Sequence, residues 1–276
     1  MKKVSKKNII ITGGTGLLGG HFYNKYKLRY NIIKYKGRIE ESKNFERWIK
    51  NKKFDYFIHF AAITKSVTHS NKKKFNLINI VSTKKIILFL NKLKMNKFKY
   101  FLFISSSHVY GYSKIKIKET HTRNPHNAYG ISKKKIEDFI YKNKNKYFFK
   151  FGIARIFNIT GKKQSAGYFI PDMSKKIKLE TKLDNINKYR DFIHLDDAVK
   201  ALELLLIKQH EEPINISSGK KINLMTICKW LGKKKFVKKI SFNKRRGGDI
   251  YGDNSNLRKL GIKKFKNIYQ ILKPFI

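Results

Sequence analysis

Tyr129 and Lys133 stand four positions apart, a spacing that places two side chains on one face of a helix. Such a pair can do proton chemistry. A neighbouring ammonium stabilises the tyrosinate and brings a phenol with an ordinary pKa of about 10 towards working pH. There it can exchange a proton with a substrate hydroxyl. Upstream, the run Ser105-Ser106-Ser107-His108-Val109-Tyr110-Gly111 closes an apolar stretch. It gathers hydroxyls at the carboxyl end of a strand, the edge where ligands of open α/β sheets bind. His108 could add a proton donor near neutral pH, or it could simply pack at the end of that strand. Because the chain has 15 Tyr and lysine throughout, the Tyr-x-x-x-Lys pattern gains its meaning from its place beside the serines.

A second motif concerns phosphate. Gly13-Gly14-Thr15-Gly16-Leu17-Leu18-Gly19 follows the apolar run Asn8 to Thr12 and opens a helix-length segment reaching about Lys27. Glycine at 13, 16 and 19 lets the loop turn tightly, admits a pyrophosphate close to the backbone, and packs the helix hard on the strand. The phosphate would rest on the leading amides of the helix. Dinucleotide sites that take NAD place an acid at the end of the second strand, whereas cations there suit a 2′-phosphate. Here Lys34, Lys36 and Arg38 come before the first acid, Glu40. NADP(H) is therefore favoured, with Lys36 and Arg38 near the phosphate, and NAD(H) stays open.

Positioning these groups requires alternating strands and helices. Strands are predicted at 8–12, 31–35, 56–59, 100–105, 149–156 and 213–216, with helical stretches at about 44–51, 77–93, 127–142 and 195–207. That alternation implies right-handed βαβ units and a parallel sheet. The fold class is α/β, a Rossmann-type doubly wound parallel sheet with a small C-terminal substrate-binding lobe. Residues 1–160, joined by about 190–217, form the NAD(P)-binding domain, and about 161–189 and 218–276 form the lobe.

The formal charge is +46, from 64 Lys and Arg against 18 Asp and Glu. Only nine of the basic residues are Arg, the side chain favoured for paired readout of phosphate and bases. The lysines are spread along the whole chain, so a solvated basic surface is expected and no nucleic-acid partner. That surface would still attract anionic substrates. No apolar run spans a bilayer and no signal peptide opens the chain, which predicts a cytoplasmic protein with no membrane partner. Cys228 is the only cysteine; it excludes an internal disulfide and a Cys-only zinc site, and no metal is expected. A non-catalytic reading, in which a cofactor- or nucleic-acid-binding protein keeps a vestigial site, is the alternative of another class.

With Thr12 before it, the Gly-x-x-Gly-x-x-Gly loop resembles that of the extended short-chain dehydrogenases/reductases, in particular the NAD(P)-dependent nucleotide-sugar epimerase/dehydratase family. Further segments match along most of the chain. His59-Phe60-Ala61-Ala62 is similar to the third-strand motif beside the cofactor, and Asn79 with Thr83 to the Asn-Val-x-Gly-Thr helix start, with Ser82 where glycine is usual. Arg155-Ile156-Phe157-Asn158, Tyr189-Arg190-Asp191-Phe192-Ile193-His194, and Arg246-Gly247-Gly248-Asp249 also resemble family motifs. The resemblance implies that Ser106, counted back from Gly111, is the catalytic hydroxyl beside Tyr129 and Lys133. It implies that Thr12, Gly13, Gly16, Leu17, Leu18, Gly19, Ala61, Ala62 and Asn79 border the cofactor. It also implies that Asn158, Arg190, Arg246 and Asp249 serve a nucleotide-sugar substrate, the two arginines clamping its diphosphate. Dehydratases of the family carry Asp and Glu directly after the catalytic hydroxyl, where this chain has Ser107 and His108. That argues against a dehydratase; the cationic end of the second strand, the short chain and the small lobe lean towards a 4-ketosugar reductase, with a 4-epimerase that retains NAD as the alternative. Similar enzymes dimerise through helices corresponding to 79–93 and 129–142, so a homodimer is implied too.

Overall fold

The computed structural model describes residues 6–64, 72–162, 164, 166–179, 181, 183, 186–232 and 248–275. A six-stranded sheet is built from β1 (Asn8–Thr12), β2 (Asn31–Lys34), β3 (Tyr56–His59), β4 (Tyr100–Ser106), β5 (Lys150–Ile156) and β9 (Ile214–Ile216). Its order is β2-β1-β3-β4-β5-β9, and β1 pairs in parallel with β2 and β3, as β3 does with β4. The strand order reverses between β1 and β3. In doubly wound sheets that switch point opens a crevice outside the carboxyl ends of the strands. The central strands are apolar without alternation because helices cover both faces; Ile9, Ile10, Ile11, Phe57, Ile58, Phe101 and Leu102 are all fully buried.

Register carries the packing from strand to strand. Thr12 lies opposite His59, and His59 opposite Phe103, while Phe57 lies opposite Phe101. Same-face neighbours on adjacent strands touch, so Phe57 and Phe101 stack at 5.1 Å with rings 8° apart. Phe98 and Phe149 continue the aromatic layer at 4.4 Å.

Helix α1 (Leu17–Tyr26) follows β1, and α2 (Ser42–Ile49) joins β2 to β3. A longer helix begins as α3 (Lys72–Lys74), widens into a π-helical stretch at Phe75–Ser82, and continues as α4 (Thr83–Lys92). Helix α5 (Ala128–Asn143) is started by Asn127, whose side chain accepts the Gly130 N–H at 2.8 Å. This cap satisfies an amide that the first turn cannot pair.

The chain divides into two compact units. The first comprises Met1–Val109, Arg123–Arg155 and Leu202–Ile214, and the second Tyr110–Thr122, Ile156–Ala201 and Asn215–Ile276. The second unit contains β6 (Asn158–Thr160) parallel to β8 (Phe192–His194), and β7 (Tyr189–Arg190) antiparallel to β10 (Ile222–Asn223). It also contains α6 (Phe169–Lys178), α8 (Leu224–Gly232), α9 (Ser255–Leu260) and α10 (Ile268–Leu272). Helix α7 (Leu195–Lys208) lies between β8 and β9 in the sequence. The second unit's own core joins Ile170, Met173, Phe192, Ile227 and Ile271 around Cys228. Burial pushes that thiol up to about 12, as suits an inert core residue. No helix among the described residues is long and apolar enough to cross a membrane.

Candidate functional site

The glycine loop shows why each glycine is required. Gly13 has φ +66°, and a Cβ there would stand 2.6 Å from the Ala61 nitrogen. A Cβ on Gly19 would collide with the Gly13 carbonyl oxygen. These two glycines let β1, α1 and the segment after β3 close on one another. Gly16 differs. It is exposed, and a Cβ there would meet only the Gly13 oxygen, at 3.3 Å. No side chain caps α1 at Gly16, so the leading N–H groups of Leu17, Leu18 and Gly19 lack intrahelical acceptors. An open backbone next to unclaimed helix-end donors fits a pyrophosphate.

Behind the loop lies a layer of polar groups, two of which the sequence motifs assign to the cofactor surface. Thr12 is fully buried, with its hydroxyl 2.9 Å from His59 Nδ1 and within 3.4 Å of the Ala61 N–H. His59 Nε2 lies 3.0 Å from the Thr83 hydroxyl. Burial, aided by the charge of Lys133, pulls this imidazole down to about 3, so it is a neutral strut. Asn79 is also buried. Its amide accepts from Ile63 N at 2.9 Å and donates to Ile63 O and to the Ser132 hydroxyl, both at 3.0 Å. Thr12 and Asn79, expected from the resemblance as cofactor contacts, both bond to the Ala61–Ile63 strip. Ala61 and Ala62 themselves are only half-buried.

The proton-transfer residues converge on the end of β4. Lys133 is buried and donates from Nζ to the carbonyl of Ile104 at 2.7 Å, with its ammonium 4.7 Å from the Phe103 ring and 5.8 Å from that of Tyr129. Burial draws the ammonium down to about 7, while Glu137 acts in the opposite direction. Ser106 is nearly buried and accepts the His108 N–H at 3.3 Å. Tyr129 is half-buried, and its ring meets that of His108 edge-on at 5.9 Å. His108 stays half-exposed rather than packing under the strand, and its Nδ1 lies 3.0 Å from the Asn127 amide. Gly130 makes this approach feasible. A Cβ there would collide with the His108 carbonyl oxygen, so any side chain would push Tyr129 away from the serine turn. Sequence reasoning missed Gly130, although a glycine in the first turn of a helix, directly after the candidate acid, was its signal.

At the end of β2, Lys36 and Arg38 are exposed, and Lys34 covers the Tyr23 ring at 3.9 Å. Among the described residues, only the first of the three cations lies over a neighbouring ring in this way.

In the second unit, Arg190 donates to the carbonyls of Tyr189 and Gly248, both at 2.7 Å, and lies 5.9 Å from the Tyr112 ring. A Cβ on Gly248 would run into that ring. Asn158 is half-buried and donates to the Asp191 carbonyl at 2.9 Å. Asp249, expected at the substrate, is buried; it accepts the Tyr189 N–H at 3.0 Å and pairs with Lys221 at 3.6 Å. Through the Tyr189 N–H it braces β7. Arg246 and Gly247 lie outside the described residues. Among those described, no cluster of His, Cys, Asp and Glu could hold a metal ion.

Comparisons with known proteins accord with this geometry. The chain is 28% identical over 222 residues to a GDP-6-deoxy-D-talose 4-dehydrogenase of Aggregatibacter actinomycetemcomitans, covering 76% of this chain and 74% of that one. It is 27% identical over 274 residues to a putative UDP-glucose 4-epimerase of Methanocaldococcus jannaschii, covering 88% of each. The fold is shared with the UDP-glucose 4-epimerase of Thermotoga maritima, at TM-score 0.84 and 22% identity over 97% of both chains. It is shared equally with RMD from Pseudomonas aeruginosa, solved with NADPH, at TM-score 0.84 and 22% identity over 98% of this chain and 97% of that one. The family model for NAD-dependent epimerases/dehydratases matches residues 9–217, a span that holds the glycine loop, the His59 strut and the Ser106, Tyr129 and Lys133 constellation. The chain belongs to the NAD-dependent epimerase/dehydratase family of enzymes.

Proposed function

We propose that the protein is a 4-ketosugar reductase that acts on a nucleotide sugar with NADP(H). The observation that carries this reading is the convergence of Lys133, Ser106 and Tyr129 on residues 104–108, at the carboxyl end of β4, two strands from the β1 that leads into the glycine loop. Gly16 and the leading amides of α1 hold the pyrophosphate, Ala61 and Ala62 border the cofactor, and Lys36 and Arg38 receive a 2′-phosphate. When bound, the nicotinamide supplies the hydride for the sugar carbonyl carbon. Tyr129 gives its proton to the oxygen, Ser106 hydrogen-bonds that oxygen, and Lys133 stabilises the resulting tyrosinate. In the second unit, taken as the substrate lobe, Asn158 and Arg190 bind the nucleotide-sugar diphosphate, and Arg246 is assigned there with them. The name of the GDP-sugar 4-dehydrogenase relative supports redox chemistry at the same sugar carbon.

The same residues serve a 4-epimerase that oxidises and re-reduces one carbon on a retained NAD, a reading favoured by the relative that matches over 88% of both chains. Incubation with a panel of nucleotide sugars and their 4-keto derivatives, with either coenzyme, separates the two. Stoichiometric NADPH loss with a ketosugar establishes the reductase, and epimer formation without net coenzyme change establishes the epimerase. Absence of binding by either coenzyme would sink both. A Tyr129→Phe variant should lose on the order of 10²–10⁴-fold in kcat while still binding coenzyme. A homodimer through the 72–92 helix and α5, where Leu77, Leu88 and Ile131 stand exposed, is read by light scattering after size exclusion.

A further inference from the structure

One buried cluster in the sheet unit has no part in the chemistry so far assigned. Glu137 is fully buried on α5, one helical turn beyond Lys133 and two beyond Tyr129. Arg155 of β5, itself buried, forks onto its carboxylate, with Nη2 at 2.7 Å from Oε2 and Nε at 3.1 Å from Oε1. Arg123 donates to Oε2 at 3.2 Å, and the Ser105 hydroxyl donates to Oε1 at 2.5 Å. Arg155 also donates to the Tyr141 hydroxyl at 3.3 Å.

The consequence for the catalytic edge follows from sequence neighbours. Ser105 directly precedes Ser106, and Ile104, whose carbonyl accepts from Lys133, directly precedes Ser105. Helix α5 therefore grips the last turn of β4 at two successive residues, through the Lys133 ammonium and through the Glu137 carboxylate. A carboxylate free to rotate could not do this. The two guanidiniums fix its plane, since paired N–H donors in a rigid fork set the geometry of a carboxylate as well as its charge.

We propose that Glu137, held by Arg155 and Arg123 and bonded to Ser105, is a positioning residue that sets Ser106 against Lys133 for the hydride and proton transfer. The inference rests on the functional reading above and deepens it. Glu137 acts in two ways: mechanically, through Ser105 on the strand end, and electrostatically, by favouring the charged form of Lys133. Among the described residues, the ionisable groups around Lys133 are His59 of β3, held neutral, and Tyr129 and Glu137 of its own helix; β4 offers it a carbonyl and the Phe103 ring.

Two conservative variants separate the two actions. Ser105→Ala removes only the mechanical link, and should lower kcat about tenfold with the substrate KM and coenzyme affinity unchanged. Glu137→Gln keeps shape and an acceptor but removes the charge, so Lys133 loses its proton more readily and the alkaline limb of the kcat profile moves to lower pH. A purely structural role would lower the whole profile without moving it. Hydrogen exchange at the amides of residues 104–108 supplies a readout that needs no substrate; Ser105→Ala should quicken it there and nowhere else in the sheet. Wild-type turnover with an unshifted Glu137→Gln profile and an unchanged Ser105→Ala kcat overturns the inference. If Glu137→Gln does not fold, an unchanged Ser105→Ala kcat is sufficient to overturn it. If the wild type turns over no nucleotide sugar, it is the functional reading that fails, and unchanged exchange at 104–108 then overturns the clamp as well.

Discussion

Among the described residues each unit of the molecule buries one carboxylate completely, and the two are satisfied by different means. Glu137, in the sheet unit, faces two guanidiniums and a hydroxyl. Asp191, in the second unit, has no cation paired with it among the described residues. It accepts from Ser218 N and Oγ at 2.8 and 2.7 Å, from Gly219 N at 2.9 Å and from Gly252 N at 3.4 Å. Those donors tie β7 and β8 to the turn at 217–219 and to residue 252. Neutral dipoles organise a loop well but compensate a buried charge incompletely, and burial raises the Asp191 carboxyl to about 6 in spite of them. The sheet unit thus fixes a charge where proton chemistry is assigned, whereas the second unit uses a carboxylate as a knot between loops.

The difference is largest when each carboxylate is removed. Glu137→Ala takes the carboxylate from the fully buried Arg155 guanidinium, while Arg123 keeps Asp138 at 2.7 Å, and should destabilise the protein by about 3–5 kcal/mol, the range for breaking a buried ion pair from one side. Asp191→Ala strands only N–H and O–H groups, and about 1–3 kcal/mol is expected. Urea denaturation at pH 7 measures both. Equal losses would show that charge pairing is not what distinguishes the two sites.

A pH series sharpens the contrast from the other side. The folded carboxyl of Asp191 binds its proton more tightly than in the unfolded chain, at about 6 against 3.8. Its stabilising contribution is therefore complete below about pH 4 and is lost as pH rises through 6, by on the order of 3 kcal/mol. Asp191→Asn has no such proton to lose. The stability advantage of wild type over this variant should shrink by that amount between pH 4 and pH 7, and a constant gap would contradict the assignment. His59 runs the opposite way. Its lowered value means that the folded state resists protonation, so its contribution is present above about 6.5 and declines as pH falls towards 3.

The His59 strut gives the next smaller effect. Thr12→Val keeps the volume but takes a hydrogen-bond partner from a buried ring nitrogen, for an expected loss of about 1–2 kcal/mol. Coenzyme affinity should fall only slightly, because Thr12 holds the Ala61 strip from behind. A collapse of coenzyme binding with intact stability would mean that Thr12 contacts the cofactor directly.

These residues also mark where the sequence could be read and where it could not. The strands from Asn8 to Ile156 were legible because central parallel strands are apolar on both faces, and the glycine spacing announced the loop. Tyr129 and Lys133 were legible as one helix face. The same face continues to Glu137, at the next turn, in a chain with 18 acids against 64 bases, so a rare acid at that position was a usable signal. Its partners were not. Ser105 and Arg155 meet Glu137 across 32 and 18 residues, and only the packed sheet brings them there. For Thr12, Asn79 and Asp249 the motifs gave the neighbourhood but not the hydrogen bonds by which they brace Ala61, Ile63 and Tyr189. A motif tells which residues surround a ligand, but burial decides which of them touch it and which support those that do.

The smallest effect concerns the most exposed charges. Lys36 and Arg38 sit in solvent at the end of β2, where water and salt screen them, so neither contributes to folding as the guanidiniums around Glu137 do. Against a 2′-phosphate bearing nearly two charges, each should still matter by about threefold in NADPH affinity. The double variant Lys36→Ala/Arg38→Ala should therefore weaken NADPH binding roughly tenfold and leave NADH binding unchanged. Isothermal titration at low and at moderate salt tests this, and the gap should narrow as salt rises. Equal weakening of both coenzymes would mean that the two cations act only through the general basic field of the chain. No change in either would move the 2′-position away from the end of β2 and restore the NAD-retaining epimerase as the better reading.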